Sequence, residues 1–129
     1  MKGTRKLAAI GATTAAIAAA LTVAAPPASA DTYNGCVWPR VCFYLTSSDW
    51  NAGAPNAAFQ DVTSYYQNLG SRSRGADYVW NSRNDDRAYL RYLDSSGSTR
   101  YYCLPPNQGV YFPSALTVTG IRIDTAPSC

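Results

Sequence analysis

Residues 88–104 read AYLRYLDSSGSTRYYCL and decide the fold class. Two runs rich in tyrosine, leucine and threonine, at 88–93 and 99–104, flank the polar cluster Asp94-Ser95-Ser96-Gly97. Apolar runs separated by aspartate, serine and glycine are typical of short β-strands joined by turns. The same pattern continues along the chain, which therefore predicts an all-β domain with further strands at 41–46, 57–62, 77–81, 110–112 and 116–123.

Two local features interrupt this pattern. A helical turn is predicted over residues 64–69, because Gly70 follows as a stop signal. In the last strand the apolar residues change from one alternation to the other across Gly120. A bulge at Gly120 would return them to the same face of the sheet.

The two halves of the chain resemble each other. Residues 44–48 read YLTSS, and residues 92–96 read YLDSS. Each half is then a sheet-forming unit of 40 to 50 residues that cannot bury its apolar face alone. We expect the two units to pack face to face as a β-sandwich.

The first thirty residues are predicted to be a secretory signal peptide, and residues 31–129 a single β-sandwich domain. Lys2, Arg5 and Lys6 precede an alanine-rich apolar run, which ends in the small-residue cleavage pattern at 28–30. A retained membrane anchor is the alternative, but the run contains few large apolar residues. We therefore expect an extracellular protein.

Charge and composition exclude several classes of function for residues 31–129. Eight arginines balance eight aspartates, so we expect neither a nucleic-acid nor a membrane partner. Histidine, lysine and glutamate are absent, which removes the side chains of catalytic triads, Schiff-base sites and most catalytic zinc sites. Asp85 and Asp86 are the only adjacent carboxylates, and neighbours on a strand point to opposite faces. The sequence predicts no catalytic site and no cofactor.

Four cysteines in an exported domain of this size predict two disulfides. We favour Cys36 with Cys42, because they are close in sequence and enclose Pro39, which leaves Cys103 to pair with Cys129. A metal site is the weaker interpretation, since the spacings do not form two close cysteine pairs and histidine is absent.

Several short motifs occur in a characteristic order: Cys42-Phe43-Tyr44, 47–53, Asn68-Leu69-Gly70, Trp80-Asn81, 101–106 and 120–123. In these, the chain resembles the small secreted bacterial peptidase inhibitors typified by the Streptomyces metalloproteinase inhibitor. The resemblance implies a βγ-crystallin-like Greek-key β-sandwich of two pseudo-repeated motifs. It also implies a monomer that inhibits secreted endopeptidases of the metallo or serine class by blocking the active-site cleft with a rigid loop.

The calcium motif of that family is only half present. Residues 84–87 read Asn-Asp-Asp-Arg and supply its acidic half, whereas Ala88 and Tyr89 replace the hydroxyl ligand and its neighbour. Calcium prefers six to eight oxygen ligands. We expect a polar turn, balanced by Arg83 and Arg87, and no bound metal.

Two segments are candidates for the inhibitory loop. One is residues 37–41 with Trp38 and Arg40, inside the proposed small disulfide loop, and the other is Leu104 with Pro105, directly after Cys103. Trp38 or Leu104 would suit an apolar specificity pocket, and Arg40 would suit a trypsin-like enzyme. An alternative function is a βγ-crystallin-like toxin, or a surface or glycan-binding module without peptidase inhibition, in which exposed tyrosines and tryptophans provide the contact area.

Overall fold

A computed structural model describes residues 32–129, and the predicted signal peptide at 1–30 lies outside these residues. The described chain is all-β apart from one short helix. Its elements are β1 (Val41–Tyr44), α1 (Ser47–Asn51), β2 (Ala57–Phe59), β3 (Gln67–Asn68), β4 (Tyr78–Asn81), β5 (Ala88–Leu93), β6 (Thr99–Leu104), β7 (Gln108–Tyr111) and β8 (Thr117–Ile123). Within residues 32–129, none of the helical structure is long and apolar enough to cross a bilayer.

The strands form two antiparallel sheets of four strands each. The first sheet has the order β2-β1-β4-β7, and the second has the order β3-β8-β5-β6. Each half of the chain gives its third strand to the sheet of the other half, because β3 pairs with β8 and β7 pairs with β4. The two sheets are therefore interlocked by a reciprocal exchange of strands.

A single apolar core fills the space between the sheets. Phe43 and Val79 enter it from the first sheet, and Leu90, Ile121 and Ile123 enter it from the second. Alternate residues of one strand point to opposite faces, so the core takes every second side chain of β1 and β4. The predicted face-to-face packing of two sheets is confirmed.

The outer face of the first sheet is covered as well. Cys36, Cys42 and Tyr44 form a second buried cluster, against which Trp50 and Trp80 pack. This cluster explains why all four residues of β1 are buried.

The predicted bulge near Gly120 is confirmed. Arg91 pairs with Gly120, but the next residue of β5, Tyr92, pairs with Val118, so Thr119 is the extra residue in β8. The bulge places Val118 and Ile121 in the same core although three positions separate them.

The predicted helical turn at 64–69 is wrong. Gln67 and Asn68 instead form the edge strand β3, because they pair with Ile121 and Gly120 of β8. The short helix lies at Ser47–Asn51, directly after the strand predicted at 41–46. Thr46 and Asp49 begin it with a capping box, in which each side chain accepts a hydrogen bond from the other residue's backbone N–H.

Both predicted disulfides are present. Cys36 bonds to Cys42, and Cys103 bonds to Cys129. No free cysteine remains among the described residues. The first bond closes a small loop against β1, and the second attaches the C-terminal segment to β6.

Candidate functional site

The Cys36–Cys42 disulfide presents a short loop, residues 37–40, which we call the stapled loop. Trp38 is 44% exposed, and Val37 and Arg40 are exposed on either side of it. A tryptophan that projects into solvent from a cross-linked loop is a large contact surface with little freedom to lose on binding. The structure thus leaves both predicted loop residues, Trp38 and Arg40, accessible to a partner.

Hydrogen bonds fix the backbone of the stapled loop from behind. The Arg40 N–H donates to the Val37 carbonyl at 3.0 Å, which closes a turn. The Arg40 carbonyl accepts from both the backbone N–H and the hydroxyl of Ser82, at 3.0 and 2.7 Å. Arg83 Nη1 donates to the Pro39 carbonyl at 2.8 Å. Three hydrogen bonds from Ser82 and Arg83 therefore attach this loop of four residues to the rest of the protein.

The second candidate loop requires a correction. Leu104 is fully buried in the core, because Cys103 points outward to Cys129 and the next residue of β6 must point inward. Its side chain cannot enter a specificity pocket while the protein is folded. Pro105 is only partly exposed, and its carbonyl accepts a hydrogen bond from Asn81 Nδ2 at 3.3 Å.

The acidic turn at 84–87 is occupied by arginine contacts. Asp86 is buried and accepts a hydrogen bond from Arg83 Nε at 2.8 Å, so its charge is balanced by a guanidinium. Asp85 is exposed. The described residues contain no group of three or more acidic, cysteine or histidine side chains that could hold a metal ion.

The sequence predicts that Arg87 balances the charge of this turn, but in the structure it pairs elsewhere. It donates from Nε to Asp124 Oδ1 at 2.9 Å, near the C-terminal end of β8. Partial burial disfavours ionisation of Asp124, but hydrogen bonds from Arg87 and the Ala126 N–H outweigh it and lower the pKa of that carboxyl. This ion pair therefore joins the start of β5 to the C-terminal segment.

Aromatic side chains line a groove on the outer face of the first sheet. Trp50, Tyr78, Trp80 and Tyr111 border it together with Gly109 and Val110, and we call this set the aromatic groove. Its volume is about 280 Å³. None of the six lining residues is charged, so the surface is apolar apart from phenol hydroxyl and indole N–H groups.

The rings of the aromatic groove stack on one another. Trp50 and Tyr78 lie nearly parallel, with centroids 4.9 Å apart and an interplanar angle of 12°. Tyr78 contacts Tyr111 at 4.9 Å across the pairing of β4 with β7. The ring of Tyr33 packs on that of Trp80, with centroids 4.3 Å apart. The result is a continuous aromatic surface that runs from α1 across β4 to the edge strand β7.

Gly109 allows Trp80 to lie flat on β7. A Cβ atom at this position would lie 2.8 Å from Cε3 of Trp80, a distance that real side chains do not reach. The glycine is thus required by the close approach of the indole, which pairs across the strands with this residue.

Sequence reasoning did not find the aromatic groove. The alternation of Tyr78 and Trp80 on β4 is visible in the sequence, and it places both on one face. Their neighbours Trp50 and Tyr111 come from α1 and β7, which only the tertiary structure brings beside β4. Tyr101 and Tyr102, neighbours on β6, are both exposed because β6 is an edge strand.

The outer face of the second sheet carries a different pattern, in which arginine and tyrosine side chains alternate. Arg87 and Arg122 lie 4.9 and 4.8 Å from the ring centroid of Tyr89. Arg122 and Arg91 lie 5.5 and 5.6 Å from that of Tyr66. These cations already contact ring faces, so this surface is a packed stack.

No family model matches the sequence, and neither the curated proteins nor the solved structures include a match. The stapled loop and the aromatic groove therefore carry the functional proposals.

Proposed function

We propose that the protein is a secreted inhibitor of extracellular endopeptidases, which inserts the stapled loop into the active-site cleft. The observation that carries the proposal is the exposed Trp38 on a loop closed by a disulfide and held by hydrogen bonds at Pro39 and Arg40. A loop that is ordered before binding loses less conformational entropy in the complex.

The covalent structure of the stapled loop also opposes turnover. A peptide bond cut within residues 37–40 leaves both new ends joined through Cys36 and Cys42. The hydrogen bonds to Ser82 and Arg83 hold the C-terminal side of the cut in place. The product then stays in the cleft, where the bond can be resealed, instead of diffusing away.

The anchor residue decides which class of peptidase is inhibited. Trp38 fits a large apolar specificity pocket, whereas Arg40 fits a pocket that contains a carboxylate. Both side chains are exposed, and they lie two positions apart in one loop. The partner is a secreted metallo- or serine endopeptidase, and the inhibitor acts as a monomer without catalytic activity or cofactor.

The proposal includes a βγ-crystallin-like arrangement of two Greek-key motifs. The reciprocal exchange of β3 and β7 supports it, because the two sheets have the same strand order when each strand is replaced by its counterpart in the other half. The repeated segments 44–48 and 92–96 fit this correspondence, since they begin at the ends of β1 and β5. Export through a cleaved signal peptide at 1–30 is supported by the two disulfides, which form in oxidising compartments.

The test begins with the full-length gene, from which the exported and oxidised protein is purified. This protein is titrated into a panel of secreted metallo- and serine endopeptidases with apolar or basic specificity pockets. We expect stoichiometric inhibition, with an intact or singly cut inhibitor chain by mass spectrometry. Folded protein that leaves every peptidase active at micromolar concentration would contradict the proposal.

Single substitutions then locate the contact. Trp38→Ala should weaken inhibition by about tenfold or more if an apolar pocket is filled, and Arg40→Ala should do so for a trypsin-like enzyme. Tyr65→Ala is the matched control, because Tyr65 is 65% exposed and lies outside the stapled loop. Equal inhibition constants for the two loop variants, the control and the unmodified protein would exclude the stapled loop as the contact.

A further inference from the structure

We propose that the aromatic groove is a carbohydrate-binding site for a neutral, β-linked polysaccharide. This inference does not depend on peptidase inhibition, because it concerns a different surface. It rests on the shape, the charge and the ordering of the groove.

The shape of the groove favours a flat ligand. Tyr78 lies against Trp50 and Tyr111 at centroid distances of 4.9 Å, and Tyr33, outside the groove, lies 4.3 Å from Trp80. The rings therefore do not surround an empty cage of the kind that holds a quaternary ammonium group. What they offer is an open groove surface of partly exposed rings, of which Tyr111 is the most exposed at 54%. A β-linked pyranose with equatorial substituents has flat faces made of axial C–H groups, which match such a surface.

The charge distribution points to the same class of ligand. The faces of aromatic rings carry partial negative charge, and the axial C–H groups of a pyranose carry partial positive charge. None of the six lining residues is charged, so the groove contains no counter-ion for an anionic or cationic ligand. The phenol hydroxyl groups of Tyr78 and Tyr111 are available for hydrogen bonds with sugar hydroxyls.

The aromatic surface is ordered before any ligand arrives. Tyr44, buried beneath the rings, contacts Trp50 edge to face at 4.9 Å and donates from its hydroxyl to the Asn34 carbonyl at 2.8 Å. Asn34 Nδ2 in turn donates to the Trp50 carbonyl at 2.8 Å. Together with Gly109 beneath Trp80, these contacts fix the indoles, so little entropy remains to be lost on binding.

The binding experiment uses the exported, oxidised protein and two kinds of probe. Retention on insoluble cellulose and chitin is measured first, followed by titration with soluble cello- and chito-oligosaccharides observed through tryptophan fluorescence. Trp38→Phe removes the one tryptophan outside the groove, so that the signal reports on Trp50 and Trp80. We expect saturable binding that does not depend on salt concentration, since no ion pair forms.

Two tyrosines provide a matched pair of variants. Tyr111 on the edge strand β7 is 54% exposed within the groove, and Tyr101 on the edge strand β6 is 59% exposed on the other sheet. Tyr111→Ala should weaken oligosaccharide binding by about tenfold, whereas Tyr101→Ala should leave it unchanged. Far-ultraviolet circular dichroism verifies that both variants fold.

Three outcomes would overturn the inference. The first is the absence of saturable binding to either glycan at millimolar oligosaccharide. The second is an equal loss of binding in the Tyr101 and Tyr111 variants. The third is loss of peptidase inhibition in Tyr111→Ala without any glycan binding, which would assign the groove to the peptidase interface. Glycan binding in a protein that inhibits no peptidase would support the inference and contradict the proposed function.

Discussion

At the scale of single residues, Tyr44 connects the second buried cluster, the aromatic groove and the N-terminal segment. Its side chain is fully buried, and its hydroxyl donates to the Asn34 carbonyl. Burial raises the pKa of Tyr44 to about 12, and the neighbouring Tyr33 contributes in the same direction. The folded protein therefore keeps this phenol protonated at pH values above the ordinary tyrosine pKa of about 10.

Tyr44→Phe should lower the free energy of unfolding by about 1 kcal/mol near neutral pH, because one buried hydrogen bond is lost. The same change should reduce the loss of stability that occurs as the pH rises above about 10. The Tyr44 pKa is higher in the folded than in the unfolded state, so its contribution is complete below about pH 10 and is lost as pH rises towards 12. Urea unfolding across this range measures both effects. Tyr101→Phe, at an exposed position, should leave the curve as it is.

The sequence allowed the disulfide partners to be predicted, because spacing and export context restrict them. It also predicted the stapled loop, because Pro39 and the flanking Cys36 and Cys42 can be read directly from the sequence. Leu104 was placed wrongly, although the outward direction of Cys103 implies that the next residue faces the core. The members of the aromatic groove could not be found together, since their proximity depends on which strands are neighbours.

At the scale of elements, the β5–β6 hairpin agrees with the sequence at both ends of both strands. The hydrogen bonds that stabilise its turn join residues within 94–100. Asp94 Oδ1 accepts hydrogen bonds from the Ser96 hydroxyl and from the Ser98 N–H, and Oδ2 accepts one from Arg100. In that order of importance, these contacts hold the pKa of Asp94 far below its usual range.

Asp94→Asn should make the free energy of unfolding less dependent on pH in the acidic range. The Asp94 pKa is lower in the folded than in the unfolded state, so its stabilising effect is present above about pH 4 and disappears as pH falls further. The variant should be less stable at neutral pH, and its stability should decline less between about pH 5 and 2. Thermal unfolding at each pH provides the measurement. Asp61→Asn changes an exposed aspartate outside the turn, and an identical acid response in both variants would contradict this account.

Elements that depend on distant partners were harder to predict. The segment 64–69 has a helical stop signal at Gly70, yet Gln67 and Asn68 pair with β8, more than fifty residues away in sequence. By contrast, the signal for α1 was local: Thr46 and Asp49 have the spacing of a capping box. Local chemistry was thus sufficient for the hairpin. The sequence analysis did not predict α1, although its signal is local, and local chemistry was insufficient for the edge strand β3.

At the scale of the whole molecule, the two disulfides should separate stability from function. Cys103→Ala with Cys129→Ala opens the longer loop, of 26 residues' separation, and should cost about 3.5 kcal/mol on the chain-entropy model. Cys36→Ala with Cys42→Ala opens the shorter loop and should cost about 2.2 kcal/mol by the same relation, but it should abolish most inhibition.

Urea unfolding and peptidase titration of the two double variants measure both quantities. A free-thiol assay of the unmodified protein provides the control, and it should find none. Full inhibition by the Cys36 and Cys42 double variant would mean that the closed loop is not needed for binding.

The composition and strand pattern predicted the β-sandwich, because two half-apolar sheets bury their inner faces when they pack against each other. The distribution of strands between the sheets did not follow from the pattern. Alternation tells which side of a strand is apolar, but several strand orders satisfy the same alternation. The exchange of β3 and β7 became visible only in the folded chain.

That exchange makes the two halves of the chain dependent on each other. A fragment that ends after β4 would lack β7 along one edge of its sheet, and its own β3 would have no β8 to join. Neither half can then complete its hydrogen bonds before the other is made, so folding must wait for contacts between distant parts of the chain, which slows it. The same dependence favours a single cooperative transition, in which a peptidase meets either the whole interlocked sandwich or an open chain.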